Sequence, residues 1–596
     1  MKYKDRESVK GYFWNLKDYD EKLALTIYQK KNVSELVSRL LAIKNLSLEE
    51  IDDYLDPRIK NLLKSPFHLL DMQKAVEYIY DAILSEKKIC IFGDYDVDGA
   101  TATALMVMYF SKLNIKVDTF IPDRMEDGYG VNEQAINKLK EDGVQLIITV
   151  DCGISANEPI RYAKNLGIDV IVTDHHLGSR ENPPAVAVVN PNRLDETSEY
   201  KYLAGVGVAY VLCIGLNSFL REKGFFEKHH LKEPDLLYYL DLVALGTVCD
   251  VMPLVNINRA FVKQGLKVFR RQKNVGLKAL SDLLELDEVN DTYHLGYILG
   301  PRINASGRVG DVNIGNKLLS CGNKIEARYL AQQLEAFNTK RQNIEKEILA
   351  KAIQKIDDEK LYENSAIFIY GNDWHEGVIG IIASRIKDKY NRPVFALSMN
   401  GDAGKASCRS VDKSIDIGSL IIRAKEMGLL LSGGGHAMAG GFTFSISKLE
   451  EIKGFMIESI SKKLNNYLTQ KEKYADLVVD FSMINEQCIS EIENMGPFGT
   501  DNAKPNIILN DIVILSTKKF GKNKEHLRCV VGRKNDFNLD KLLVANIFRV
   551  DENITLINAL KKPRLNCDLV GSISINKWMN LNNVQFIIED IILREE

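Results

Sequence analysis

The chain has 596 residues, too many for one hydrophobic core, so about three or four domains are expected. Its formal net charge of -3 gives no global attraction for polyanions, so any site for a nucleic-acid backbone must be a local basic groove. Nine cysteines with no C-x-x-C pair argue against a disulfide framework and a zinc ribbon. No apolar signal core follows the N-terminus and no apolar run is long enough to span a bilayer, so a cytoplasmic protein with no membrane partner is expected.

Residues 1–87 read as a small helical cap, with helical patterns at Leu40-Leu41-Ala42 and from Leu46 to Ile51. From Lys88 to about Asn190, strand-like and helical patterns alternate. Ile89 to Phe92, Leu146 to Val150, Val170 to Val172 and Ala185 to Val189 are apolar runs of strand length, and a helix is expected from Ala100 to Leu113, opened by Asp98-Gly99. This alternation predicts an α/β fold, with a doubly wound parallel sheet in a domain over 88–322. Leu236 to Val248 reads as a helix that delivers Asp250 at its end. From Asn323 to Ile356 there is no Gly or Pro, and Leu330, Leu334, Phe337, Ile344 and Ile348 recur at helical steps, so one long helix over 323–357 is expected to join two lobes. A smaller α/β domain is assigned to 358–465, with a strand from Ala366 to Tyr370, a helix after Gly377 and a glycine run, Gly433-Gly434-Gly435, before His436. Residues 470–596 carry short apolar runs between polar turns, which predicts a C-terminal β-barrel of OB type, where the chain is expected to stop.

Chemistry-bearing residues gather where apolar runs end. Asp94, Asp96 and Asp98 follow the first strand, Asp151 the second, His175 and His176 the third, and Asp250 a helix. In an open parallel sheet, ligands bind outside the carboxyl ends of the strands. So many carboxylates cannot gather as anions without a cation, and carboxylate with imidazole but no thiolate suits Mn²⁺ or Mg²⁺ better than Zn²⁺. An EF-hand loop is excluded because its twelfth position is Leu105 rather than Glu. Five to seven candidate ligands exceed the needs of one ion and suit two divalent cations about 3.5–4 Å apart.

The segments Gly93 to Gly99 and Asp174-His175-His176 resemble the DHH phosphoesterase superfamily. Asp123 to Gly130, Leu203 to Gly207, Gly246 to Leu254, Gly300 to Arg308 and Trp374 to Gly380 resemble its RecJ branch. Gly433 to Phe442 resembles the DHHA1 domain and Met495 to Gly499 the opening of the RecJ OB region. One departure is Ala503 after Asn502, where the family usually has Pro. The resemblance implies a 5′-to-3′ exonuclease that degrades single-stranded DNA to 5′-mononucleotides in recombination and repair. A monomer is expected, and a single-strand-binding protein and a helicase are the implied protein partners. The implied ligands of the two ions are Asp96, Asp98, Asp151, His175 and Asp250, with Asp151 favoured as the bridge; Asp94 and His176 are either ligands or groups that orient them. Asn304 comes with the Gly300 to Arg308 motif as a substrate contact, and Arg302 or Arg308 is expected to neutralise phosphate oxygens. Ser407 and Arg409, with Arg124, are assigned by the resemblance to the 5′-phosphate, beside an anion nest expected from Gly434, Gly435 and His436.

Single-strand selectivity is expected from a basic and aromatic groove on the barrel: Lys518, Lys519, Phe520, Lys522, Lys524 and Arg528, with Lys577-Trp578. Two rival readings remain. One is a DHH-type hydrolase for pyrophosphate, cyclic dinucleotides or very short oligonucleotides. The other is a non-catalytic DNA-binding subunit on the same fold, similar to the inactive relative in the eukaryotic replicative helicase.

Overall fold

The structure is a computed structural model, and it describes all residues except 1, 123–129, 179, 287–288, 290, 373, 470, 522–523, 535–541, 550–553, 561–563, 577–582 and 595–596. The chain divides into two compact units. One holds Asp56–Asn343 with Pro497–Ala503; the other holds Met1–Leu55, Ile344–Gly496 and Lys504–Glu596.

The first unit is built on a five-stranded parallel sheet. In spatial order the strands are Asp118–Phe120, Ile89–Phe92, Leu146–Val150, Asp169–Thr173 and Ala187–Val189. In chain order this is 2-1-3-4-5, so the winding reverses between Ile89–Phe92 and Leu146–Val150, the position where doubly wound sheets bind ligands. Both of those strands are buried along their whole length, which is why they read as unbroken apolar runs. Successive side chains feed opposite faces: Ile89, Ile91 and Ile148 join one core, and Cys90, Phe92 and Ile147 the other. The helix after the first strand runs Val97–Lys112, three residues earlier than its expected start, because Asp96 caps it by accepting from the Gly99 amide. The expected helix before Asp250 is the α-helix Leu240–Cys249, preceded by a 3₁₀ turn at Leu236–Tyr239.

A helix of 35 residues, Lys324–Asp358, connects the units in sequence. The second unit contains a five-stranded sheet in the order Ser432–His436, Ala439–Ser445, Ala403–Arg409, Val394–Asn400, Ile367–Asn372, parallel only in its last pair. It also contains the expected barrel. The strands Ile507–Phe520, His526–Arg533, Leu543–Ile547, Asn583–Leu593 and Leu565–Asn576 follow one another around it, and pairing of the last with the first closes it.

The N-terminal segment departs from the all-helical expectation. It opens with two strands, Lys2–Glu7 and Phe13–Leu16, before its helices begin at Glu21. Phe13–Leu16 pairs in parallel with Glu472–Ala475, a partner too far along the chain for any local pattern to show. Asp590 anchors this ribbon to the barrel: its buried carboxylate accepts from Ser8 Oγ at 2.6 Å, Trp14 Nε1 at 2.9 Å and the Lys10 amide at 3.2 Å. Replacing Asp590 with Ala strands these buried donors and should destabilise the unit by about 2–5 kcal/mol. Denaturant unfolding followed by Trp14 fluorescence measures this; an unchanged midpoint would show that the ribbon is not held there.

Candidate metal centre

Three of the acids are fixed by backbone. Asp94 sits in the loop after Phe92 and accepts from the Tyr95 amide at 2.7 Å. Asp98, in the first turn of the Val97–Lys112 helix, accepts from the Gly205 and Val206 amides at 2.6 and 2.9 Å. Those amides open the helix Gly205–Glu222, so its positive end faces the carboxylate. Asp151 leaves its strand in the left-handed region, at φ 62°. Gly205 packs directly on it: a Cβ there would lie 2.6 Å from the Asp151 carboxylate. Gly246 plays the same part for Asp98, where a Cβ would stand 2.7 Å from Oδ1.

These placements bring the side chains to one point. His175 Nε2 lies 3.1 Å from Asp151 Oδ1, 3.5 Å from Asp250 Oδ2 and 3.8 Å from Asp98 Oδ2. Nε2, Asp151 Oδ1 and Asp250 Oδ2 are all buried and share no hydrogen bond with one another or with another group. Buried polar atoms without partners are costly, and a cation among them would satisfy all three. Three overlapping groups have metal-ligand spacing: Asp94, Asp96 and Asp151; Asp98, His175 and Asp250; Asp151, His175 and His176. Asp151 and His175 each belong to two groups. All seven candidate positions at the sheet rim are therefore brought together, and the residues fit a pair of divalent cations.

The charges are consistent with that fit. Burial, then the charge of Asp96, pushes the Asp94 carboxyl up to about 8 and that of Asp98 up to about 7. Burial, then Asp98, pushes Asp250 up to about 9 and Asp151 well above the carboxylate range. Burial and the neighbouring His176 charge lower His175 to about 4, leaving a neutral imidazole with a free nitrogen. Burial opposes charge on His176, but the hydrogen bond to Asp174 and the surrounding acids raise it to about 9.

Asp174, which the sequence placed in the Asp174-His175-His176 motif without assigning it a role, holds the two histidines in place. It is buried, and accepts from the Ile154, His175 and His176 amides at 2.9, 2.7 and 3.1 Å and pairs with His176 Nδ1 at 2.8 Å. Burial works against its charge, yet the His176 bond and charge hold it below the ordinary carboxylate range. Asn190 Nδ2 donates to the His176 carbonyl and Asn192 Nδ2 to the His175 carbonyl, completing the support. Its place at the end of the Asp169–Thr173 strand was the available signal.

The remaining candidates fall into separate groups. In the first unit, Arg302 is tied to Glu335 at 2.6 Å and to the Ile298 carbonyl. Asn304 and Arg308 lie one turn apart on the helix Gly300–Val309. The Asn304 Oδ1 is buried without a partner, and Gly307 brings this helix against Tyr95, between Asp94 and Asp96. Arg124 lies outside the described residues.

In the second unit, Ser407 and Arg409 share one sheet face. Register places Ser407 across from Gly441 and then Gly434, and Arg409 across from Ala439 and then His436. Arg409 donates to Ser407 Oγ at 3.3 Å and to Ser384 Oγ at 3.1 Å. The glycine run does not curl into the expected nest. Gly434, Gly435 and His436 lie in the extended edge strand Ser432–His436, where a Cβ on Gly434 would meet no atom.

On the barrel, Lys518 pairs with Arg528, and the Arg528 guanidinium lies 4.8 Å from the Phe520 ring centroid. His526 and Phe548, not anticipated, pack edge-on against Phe520. Lys519 and Lys524 are described, whereas Lys522 and Lys577-Trp578 lie outside the described residues.

Comparisons with known proteins agree with this arrangement. Residues 88–247 match the DHH family N-terminal domain, 363–462 the DHHA1 domain and 475–590 the RecJ OB domain. The chain is 36% identical over 549 residues to the single-stranded-DNA-specific exonuclease RecJ of Salmonella typhimurium, covering 90% of this chain and 92% of that protein. The crystal structure of RecJ from Thermus thermophilus in complex with Mn²⁺ superposes with a TM-score of 0.78 at 26% identity, covering 98% of this chain and 80% of that one. The Mg²⁺ complex gives 0.71 at 25%, covering 98% and 79%.

Two outcomes follow from the geometry. The raised carboxyls mean that the metal-free fold holds protons the unfolded chain has released. Their contribution to stability is therefore full below about pH 4 and is lost as pH rises through about 7 to 9. Mn²⁺ must displace those protons, so its increase in Tm should be larger near pH 8.5 than near pH 6, roughly in step with carboxyl ionisation; an equal increase at both would sink the ligand assignment. Replacing Asp174 with Asn frees the His176 ring and should weaken Mn²⁺ binding about 10- to 100-fold, as read by calorimetry.

Proposed function

Because the chain belongs to the RecJ family of DHH phosphoesterases, we propose that it is a metal-dependent exonuclease that degrades single-stranded DNA from its 5′ end to 5′-mononucleotides, in recombination and repair. The observation that carries this reading is the convergence of Asp98, Asp151 and Asp250 on the neutral imidazole of His175 at the sheet's reversal point. Asp96, Asp98, Asp151, His175 and Asp250 would hold two Mn²⁺ or Mg²⁺ ions, with Asp151 shared between them. When bound, the ions supply a water of lowered pKa and Lewis-acid stabilisation of the phosphodiester.

The protein's own groups position and neutralise. Asp94 completes the acid set, and His176, held by Asp174, orients its neighbour and adds positive charge. Arg308 faces phosphate oxygens, with Asn304 beside it. Arg302, committed to Glu335, acts by holding that helix. Ser407 and Arg409, already joined by a hydrogen bond, receive the 5′-phosphate, and the edge strand at Gly434, Gly435 and His436 borders them. Lys518, Lys519, Phe520 and Arg528 carry the single strand along the barrel, cations holding phosphates and the ring stacking on bases. The domain division is taken as 88–322, 323–357, 358–465 and 470–596, after the segment 1–87; the matched family segments support the three larger ones.

Nine free thiols support a reducing cytoplasmic setting, and among the described residues no helix is long and apolar enough to cross a membrane. The chain works as a monomer. A helicase supplies it with unpaired strands, and a single-strand-binding protein keeps them open.

Incubation with Mn²⁺ and a long 5′-labelled single strand should release labelled mononucleotide at once. Cleavage of dinucleotides with the long strand left intact would instead indicate a short-oligonucleotide hydrolase. Asp151→Asn, which keeps a residue type tolerated at positive φ, should abolish hydrolysis while leaving metal-free DNA binding within about twofold.

A further inference from the structure

Tyr293 and Tyr297 are 58% and 72% exposed, and their rings stack on each other with centroids 5.3 Å apart at 24°. Among the described residues they are the one pair of exposed aromatic rings stacked on each other. Two large rings in water forgo burial that packing elsewhere would supply. Tyr297 lies in a π-helical turn, His294–Leu299, and Tyr293 caps its start; the π conformation is concentrated at functional sites.

The inner face of that turn is locked to the metal centre's own scaffold. Leu295 and Leu299 are fully buried, and a Cβ on Gly296 would lie 3.3 Å from Val248. The Cys249 thiol donates to the Leu295 carbonyl. Val248 and Cys249 end the helix whose next residue is Asp250. The turn then runs directly into Gly300–Val309, the helix of Asn304 and Arg308 that packs on Tyr95. The stacked rings are thus carried on the same packed scaffold as the Asp250 helix, within the same unit. A wet aromatic face in that position suits a flat, apolar, sequence-indifferent group, which on a nucleic-acid chain is an unpaired base.

We propose that Tyr293 and Tyr297 form a base-stacking platform on which one base of the bound single strand is held beside the metal centre. This rests on the single-stranded-DNA reading above and adds a determinant of strand selectivity within the metal-binding unit. A base inside a duplex has both faces covered and cannot use the platform, so these rings favour an unpaired strand without reading its sequence.

The test uses the full chain without metal and 5′-phosphorylated oligonucleotides carrying one 2-aminopurine at successive positions from the 5′ end. At one position the wild type should quench the probe. The double variant Y293A/Y297A should lose that quenching and bind roughly tenfold more weakly, with an unchanged salt slope. Y293F/Y297F should restore both. An abasic residue at the quenched position should weaken the wild type about tenfold and the double alanine variant no further. Wild-type affinity in the double alanine variant, or an equal abasic penalty in both proteins, overturns the platform while leaving the exonuclease reading intact. A wild type that neither binds the strand nor degrades it with Mn²⁺ overturns both.

Discussion

Like charges in a buried cavity repel, and the metal centre is organised around that repulsion. Asp98, Asp151 and Asp250 approach His175 Nε2 within 3.8 Å, with Asp94 and Asp96 close by. Left to themselves, such acids would turn outward to water or take up protons. Here they are prevented from turning. Two amides at the start of a helix grip Asp98, a left-handed backbone aims Asp151, and the absence of a side chain at Gly205 and Gly246 lets neighbouring helices press against both. The fold thus holds the acids where, without a cation, they keep protons, and divalent cations bind by taking the place of those protons.

The sheet makes the crowding possible. Its central strands are apolar along their whole length, so polar groups gather only where the strands end. Winding in the order 2-1-3-4-5 sends the connections on either side of the reversal in opposite directions, opening a crevice between Phe92 and Val150. Asp94 and Asp151 emerge there. Asp174 emerges one strand further along and turns its carboxylate inward to the backbone, so the two histidines that follow divide their work. One is driven neutral and presents a bare nitrogen, while its neighbour is held charged.

The sequence made the acids and histidines legible because each stands at the end of an apolar run, where period and composition change together. The long helix was legible for a similar reason, since 34 consecutive residues from Asn323 to Ile356 lack Gly and Pro. What stayed hidden depends on partners far apart in the chain. The division of labour between His175 and His176 requires Asp174 to face inward, and the Arg302 pairing requires Glu335 from another helix. The glycine run at 433–435 suggested a curl because glycine permits one, but neighbouring strands extended it. The ring of Phe548 joins Phe520 only once the barrel has closed.

The parallel pairing of Phe13–Leu16 with Glu472–Ala475 has a consequence for how the molecule is made. Phe13 meets Glu472 across the ladder, so 459 further residues must be synthesised before the pairing can form. At about 5–20 residues per second, that leaves the amino-terminal ribbon bare for roughly 20–90 seconds on the ribosome. Throughout that interval it is an open edge of the kind on which chains join wrongly. Its own charged residues, among them Arg6 and Glu7, discourage such encounters. Closure of the ribbon therefore waits on the strand Glu472–Ala475: a polypeptide cut short before that strand keeps an unpaired, loose beginning, exposed to the cell's proteases.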